Sequence, residues 1–209
     1  VVGHARYHIC RRIKEKKLKV GHAGTLDPLA TGVMIVCTGK ATKRIEEFQY
    51  HTKEYVATIR LGATTPSYDL EHEIDATYPT EHITREMVLE ALASLTGERY
   101  QTPPLYSAKK IEGTRAYELA RAGEEVELRQ SLIRIYEMNL VACDLPRIRV
   151  HVRCSQGTYI RSLGREIGEA LRSGAHLESL RRTRSGGFRL DMAYDLEFFL
   201  QRLEMSETK

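Results

Sequence analysis

The chain has 209 residues, of which 42% are hydrophobic and 29% charged, and this composition fits one large globular domain. It contains no apolar stretch near the roughly 20 residues that a membrane-spanning helix needs, and its first residues form no signal peptide. The net charge of +4 is too small to identify a partner, but residues 11–19 carry six basic side chains against one acid, and seven arginines lie between positions 161 and 189. We expect one basic side suited to a phosphate backbone, with solvated helix faces as an equal alternative.

The cysteines and histidines are scattered along the sequence. The four cysteines occupy positions 10, 37, 143 and 154, and no pair has the two-residue spacing of a zinc knuckle. Two of them fall within apolar, strand-like runs. The pattern predicts buried free thiols in a reducing cytoplasm and no metal site.

The first elements along the chain are a helix and a glycine-rich loop. Residues 5–17 are predicted to form a basic helix with a narrow apolar stripe. Residues 21–32 hold three glycines and one proline, which neither a helix nor a central strand accommodates. Within this loop Pro28 holds Asp27 extended, and the apolar run at residues 33–37 predicts a buried strand. Asp27 is therefore either a carboxylate mounted for chemistry or part of an Asx turn that bonds backbone amides.

Two segments with clear periodicity follow. After a short helix near residues 41–48, residues 53–61 alternate as a strand whose inner face carries Tyr55. A core tyrosine with a bonded hydroxyl is the simplest interpretation of that side chain. Residues 62–76 are rich in turn formers, and Thr84 then caps a helix whose apolar positions share one face as far as Gly97.

Residues 101–123 interleave aromatic and basic side chains. Lys109, Lys110 and Arg115 are basic side chains near its middle, and Tyr106 and Tyr117 lie to either side of them. This mixture offers contacts to phosphates alternating with aromatic faces for bases. The spacing predicts a strand, a turn at residues 112–113 and a short helix ending at residue 123.

Strands and two helices fill the rest of the chain. Residues 125–154 are predicted as strands, and the helix after Thr158 buries its apolar positions and displays Arg161 and Arg165 one turn apart. For an arginine on a helix, a surface ion pair worth little is the simplest interpretation. The tail is predicted to be helical from residue 192 to Leu203.

Five stretches together resemble the TruB family of pseudouridine synthases. They lie between residues 20 and 188 and read GHAGTLDPLATGVM, KEY, PPLYSAKKIEGTRAYELARAG, CSQGTYIRSL and HLESLRRT. A loop match with fixed Gly, Asp and Pro positions is far more specific than a three-glycine fingerprint. One departure is Gln156, where the family more often has lysine.

This resemblance implies an enzyme that isomerises the uridine at position 55 of the tRNA T-arm. It makes Asp27 the catalytic residue, pairs it with Arg161 and packs Tyr55 on the target base. The base pocket would also contain His22, Tyr159 and Leu180. Asp69 would be a further acid behind the site. Weaker contacts to the RNA backbone are implied for Lys109, Lys110, Arg115, Arg181 and Arg182.

The implied fold is α+β, with a mixed, mainly antiparallel sheet flanked by helices and a central catalytic cleft. Residues 1–209 are expected to form a single catalytic domain, with residues 101–123 as a tRNA-clamping insertion. The chain is expected to begin after the family's first element, a Lys-Pro-x-Gly-x-[Ser/Thr]-Ser stretch, and to lack a C-terminal RNA-binding domain. The reaction needs no cofactor and no metal. The expected partner is the T-arm of tRNA, and we expect neither a membrane nor an obligatory protein partner. The protein is expected to be a monomer in the cytoplasm.

Two other functions stay open on the sequence alone. A tRNA-binding or tRNA-folding module without chemistry would use the same basic segments, and loss of tritium from 5-tritiated uridine distinguishes it, because only catalysis releases that label. A guide-RNA-dependent relative acting on ribosomal RNA shares the motifs but normally adds a long C-terminal RNA-binding domain, which we do not expect here.

Overall fold

A mixed β-sheet with helices packed against it dominates the computed structural model, which describes residues 1–107, 110–111, 114–115 and 128–205. The strands of these residues are β1 (Val20–His22), β2 (Thr31–Gly32), β3 (Val36–Thr38), β4 (Lys53–Leu61), β5 (Ala63–Thr64), β6 (Ala76–Thr77), β7 (Gly97–Gln101), β8 (Lys110–Ile111), β9 (Thr114–Arg115), β10 (Ser131–Asp144), β11 (Arg147–Cys154), β12 (Ala175–Ser185) and β13 (Phe188–Arg189). The α-helices are α1 (Val2–Ile13), α2 (Ile45–Gln49), α3 (Arg85–Ser94), α4 (Ile160–Ala170) and α5 (Leu196–Met205). Two 3₁₀ segments, Gly39–Arg44 and Leu190–Met192, precede α2 and α5.

The main sheet has seven strands in the order β13-β12-β4-β11-β10-β7, and β2 pairs with β12 outside that path. All pairs are antiparallel except β2 with β12, which run parallel. The α+β class with a mixed, mainly antiparallel sheet is therefore confirmed.

Strand β4 is central because it is bonded to β11 on one side and to β12 on the other. Its nine residues alternate between buried and half-buried positions, as the sequence predicts. Tyr55 is among the buried ones, and in the register of the sheet it lies beside Val152 on β11 and Arg182 on β12. The inner face of β4 thus presents this tyrosine at the end of the strand where the glycine-rich loop lies.

Helices α3 and α4 pack on the inner face and complete the main core. Thr84 caps α3 as predicted, since its Oγ1 accepts a hydrogen bond from the amide of Met87 at 3.3 Å. The helix α4 approaches β12 closely, because a Cβ on Gly168 would lie 2.6 Å from the backbone nitrogen of Ala175. Its two isoleucines and its leucine are buried, and each contributes roughly 1.5–3 kcal/mol. This packing fixes the first turn of α4, which carries Arg161.

The apolar run at residues 33–37 is not one strand, contrary to the prediction. Residues 31–32 pair with β12 in the main sheet, whereas residues 36–38 pair with β1 in a separate two-stranded ribbon. The chain crosses between the two at Val33–Ile35, and Val33 and Ile35 are buried on the way. Burial therefore still alternates from residue to residue along this segment, although its backbone is not part of a strand pair between residues 33 and 35.

The insertion and the chain ends are described in part. The backbones of β8 and β9 pair antiparallel; β8 agrees with the predicted strand, whereas the sequence predicted no second strand at β9. The predicted turn at residues 112–113 and the helix ending at residue 123 lie outside the described residues. The helices α1 and α5 contact each other, with His8 Nδ1 3.6 Å from a carboxylate oxygen of Glu204. Across the described ranges, no helix has the length and apolarity required to cross a membrane.

Candidate active site

The loop that carries Asp27 is anchored at both ends. On its entry side the amide of Ala23 donates to the carbonyl of Ile35 at 2.9 Å, and on its exit side β2 joins the main sheet beside β12. Within the loop the amide of Ala30 donates to the carbonyl of Asp27 at 2.9 Å, which closes a turn. This turn leaves the Asp27 carboxylate free to face the first turn of α4.

Arg161 meets that carboxylate in a two-point pair. Its Nη2 lies 2.7 Å from Oδ1 of Asp27, and its Nε lies 3.0 Å from Oδ2. The guanidinium also donates to the carbonyls of Tyr106, at 2.9 Å, and Ser67, at 3.3 Å, and a carboxylate oxygen of Asp69 lies 3.7 Å away. Only 3% of the Arg161 side chain is exposed. The prediction that α4 displays this arginine is therefore wrong, because a carboxylate and two carbonyls satisfy its charge inside the protein.

Burial and charge act in opposite directions on Asp27. Desolvation raises the pKa of its carboxyl above the ordinary value, the neighbouring Arg161 lowers it, the charge of Asp69 raises it, and Arg182 lowers it; the net direction is upward. The side chain keeps 29% of its surface exposed, on the open side of the pair. A carboxylate whose pKa is raised while it is still paired with a guanidinium is more basic than a surface aspartate.

We expect this shift to appear in the pH dependence of the chemical step. The predicted reaction uses ionised Asp27. Because a raised pKa keeps the proton bound to a higher pH, the rate should begin to fall on acidification above the ordinary aspartate pKa of about 3.9. Single-turnover rates across the acidic range in which circular dichroism shows a folded protein measure this limb. A rate that stays constant down to the ordinary aspartate pKa would contradict the assignment.

A cavity of about 290 Å³ opens beside the Asp27–Arg161 pair. Its lining includes Asp27, Tyr55, Tyr159 and Leu180, so the structure brings together four of the residues predicted for the site. This volume is near the lower end of the range for small-molecule sites and suits one planar base. His22 is not part of the lining and lies in β1, where the glycine-rich loop begins. Its Nδ1 is buried and has no hydrogen-bond partner in the described residues.

Burial keeps both cavity tyrosines in the neutral phenol form. It raises the pKa of Tyr55 to about 12, and it also raises the pKa of Tyr159. Neither hydroxyl therefore acts as an anionic base near neutrality. Their rings offer apolar surface to a bound base and their hydroxyls offer hydrogen bonds.

Of the five residues predicted to contact the RNA backbone, the structure describes the side chains of two, Arg181 and Arg182. Arg181 is exposed on β12, whereas Lys109 and the side chains of Lys110 and Arg115 lie outside the described residues. Arg182 is only 1% exposed, and its guanidinium donates to backbone carbonyls of the glycine-rich loop. It is therefore unavailable to a surface phosphate, which corrects the prediction of an RNA contact for this residue.

Two further polar side chains support the cavity and were not predicted. The amide of Gln101 is buried and bonds the backbone of Tyr159 twice, accepting from its nitrogen at 2.9 Å and donating to its oxygen at 3.2 Å. Lys53 lines the cavity and donates to the carbonyls of Gln49 and His51, each at 2.8 Å. The alternation of β4 places Lys53 on the face of Tyr55 and could have found it, but no local pattern links Gln101 to Tyr159.

The chemistry available at this site is that of a carboxylate. Among the residues that the structure describes, no group of His, Cys, Asp or Glu side chains is arranged to hold a metal ion. All four cysteines are free thiols, and two of them, Cys37 and Cys154, are buried. The arrangement can present one ionised oxygen pair to a planar group that lies between two tyrosines.

Two sequence profiles match the chain. One, described as the N-terminal domain of TruB family pseudouridylate synthase, matches residues 11–160, and one described as the tRNA pseudouridylate synthase B C-terminal domain matches residues 161–209. Their boundary falls in the first turn of α4, which packs on the same sheet as the preceding strands. The expectation of a single domain without a C-terminal RNA-binding domain stays a prediction.

Relatives match over nearly the whole chain. The tRNA pseudouridine synthase B of Bacteroides fragilis is 67% identical over 209 residues, covering 100% of this chain and 90% of that protein. The protein of the same name from Bacteroides thetaiotaomicron is 67% identical over 211 residues, covering 99% of this chain and 88% of that protein.

A solved structure shares the fold. In a Cbf5-Nop10-Gar1 complex, the matching chain has a TM-score of 0.74 and 27% identity. The match covers 100% of this chain and 53% of that chain, so this protein spans about half the length of its structural neighbour.

Proposed function

Because this chain belongs to the TruB family of tRNA pseudouridine synthases, we propose that it isomerises the T-loop uridine at tRNA position 55 to pseudouridine. The observation that carries the proposal is the two-point pair between Asp27 and Arg161 at the edge of a cavity lined by Tyr55 and Tyr159. This arrangement combines an ionised carboxylate with space for a single base.

The reaction is a rearrangement in which the bond between C1′ and N1 breaks and a bond between C1′ and C5 forms. The base gains a proton at N1 and loses the one at C5, so the product has the same composition as the substrate. The isomerisation therefore requires no external oxidant, reductant or group donor. In our proposal Asp27 acts directly on the target nucleotide, and Arg161 holds its carboxylate in place and ionised.

The target base has to leave the stacked T loop before it can reach Asp27. Unstacking costs on the order of a few kcal/mol, which contacts in the pocket offset. Tyr55 and Tyr159 supply aromatic surface and Leu180 an apolar contact, since all three line the cavity. We propose that His22, at the start of the loop, either occupies the space that the base vacates or holds the nucleotide in its flipped conformation.

The rest of the tRNA arm is proposed to lie on the basic segments. Residues 101–123 would clamp the arm through Lys109, Lys110 and Arg115, and the exposed Arg181 would add a phosphate contact. We propose that the enzyme works as a monomer in the cytoplasm, where tRNA is available, and without an obligatory protein partner. The structural neighbour, by contrast, was solved together with Nop10 and Gar1.

Release of tritium from tRNA that carries 5-tritiated uridine tests this function. The proposal predicts release of one label per tRNA by the wild-type protein, because only the target position exchanges its C5 hydrogen for a carbon bond. A protein that binds the same tRNA tightly but releases no label would instead be a binding or folding module.

A further inference from the structure

Arg182 is a buried cation whose guanidinium donates to three backbone carbonyls at the two ends of residues 24–33. Its Nε donates to the carbonyl of Val33 at 2.7 Å, its Nη2 to Gly24 at 3.2 Å, and its Nη1 to Thr25 at 3.5 Å. In the part of the chain that the structure describes, no carboxylate lies within salt-bridge distance of this guanidinium, although its side chain is almost fully buried. A buried charge without such a partner is costly, so its persistence needs a reason.

The backbone of Arg182 holds the same loop. Its carbonyl accepts from the amide of Val33 at 2.9 Å, and it pairs with Gly32 where β2 joins β12. The approach is so close that a Cβ on Gly32 would lie 2.1 Å from the Arg182 oxygen. One residue therefore binds both ends of the segment 24–33, and Asp27 lies inside that segment.

We propose that Arg182 is a positioning residue, which clamps both ends of the catalytic loop so that Asp27 meets the base at a fixed place and beside a second positive charge. The proposal rests on the function assigned above and deepens it. The electrostatics agree with the geometry, since Arg161 and Arg182 both lower the pKa of Asp27, against burial and the charge of Asp69. Arg182 also lines the cavity itself, next to Lys53, whose pKa is lowered by burial and by the charge of Arg182.

Two substitutions distinguish the effect of the hydrogen bonds that Arg182 makes to the loop from the effect of its positive charge. Arg182→Lys keeps the charge but cannot bond three carbonyls at once, whereas Arg182→Gln removes the charge and keeps a planar donor. We expect both variants to lower the single-turnover rate on saturating tRNA about 10²-fold, since small misplacements near the chemistry have effects of that size. Their Kd for tRNA should stay within about twofold of wild type, because no phosphate contact is lost. The charge of Arg182 lowers the pKa of Asp27, and only Arg182→Gln removes that charge. Only this variant should therefore shift the acid limb, the fall of the rate on acidification, to higher pH.

Matched controls distinguish this role from a purely structural one. Arg184→Lys makes the same substitution two residues further along β12, at an exposed side chain, and should leave rate and acid limb unchanged. Leu92→Ala removes a side chain from the main core and should lower Tm without moving the acid limb. If Arg182→Gln does not fold, Arg182→Lys decides the question through its rate and its Kd.

Two results would overturn the proposal while wild-type activity stands. One is a rate for Arg182→Lys within twofold of wild type per folded molecule. The other is weakened tRNA binding with an unchanged rate at saturation, which would make Arg182 an RNA contact. An inactive wild-type protein would instead refute the proposed function, so the two failures are distinguishable.

Discussion

Replacing Asp27 with asparagine is expected to lower pseudouridine formation by at least about 10³-fold, the scale on which a positioned acid or base acts. The amide has nearly the same shape and can still accept one hydrogen bond from Arg161, but it carries no negative charge and cannot act as a nucleophile or base. The measurement is the single-turnover rate on a tRNA transcript, read by tritium release.

Binding of tRNA provides the control for this variant. Affinity comes mainly from contacts to many phosphates, so the loss of one carboxylate in the cavity should change the Kd by only a fewfold. Retained binding combined with lost turnover assigns Asp27 to chemistry. Substantial turnover by Asp27→Asn would remove it from the catalytic role.

Replacing Arg161 with lysine is expected to lower the rate about 10²-fold, although the charge is kept. An ammonium group cannot make the two parallel bonds to Asp27 while it also bonds the carbonyls of Ser67 and Tyr106. The carboxylate would then move relative to the cavity, and misplacements of about 1 Å have effects of this size. The rate at saturating tRNA reports this loss.

Arg165→Lys is the matched control for Arg161→Lys. It makes the same substitution one turn later on α4, where the side chain is 42% exposed and pairs with Glu169 four residues away. Such an exposed pair contributes little, so this variant should keep its rate within about twofold of wild type. Near-normal rates in Arg161→Lys would show that the two-point geometry of the pair is not needed.

Local patterns in the sequence predict the elements on which the site is built. The alternation of β4, the cap at Thr84 and the apolar face of α4 are all present in the structure, because each depends on neighbours within one turn or one strand. The resemblance also predicted the contact between Asp27 and Arg161, which are 134 residues apart. No periodicity could have indicated that contact.

The features that sequence reasoning missed depend on packing between distant segments. Helical periodicity alone placed Arg161 on an exposed face, and the resemblance gave Arg182 an RNA contact. Both side chains are buried, because carbonyls and a carboxylate from other parts of the chain satisfy them. Residues 33–37 are predicted as one strand because they form an apolar run. In the structure, residues 31–32 pair with β12 and residues 36–38 pair with β1 in a separate sheet. Charge and hydropathy alone do not reveal such partners.

The central claim is that the carboxylate of Asp27 converts one particular uridine of the T loop. The most direct test is to map pseudouridine at single-nucleotide resolution in an unmodified tRNA transcript after incubation with the wild-type protein. We predict complete conversion at position 55 and no conversion elsewhere, with none at all for Asp27→Asn. Conversion at another position, or an unmodified position 55 in a transcript that the protein demonstrably binds, would contradict the account.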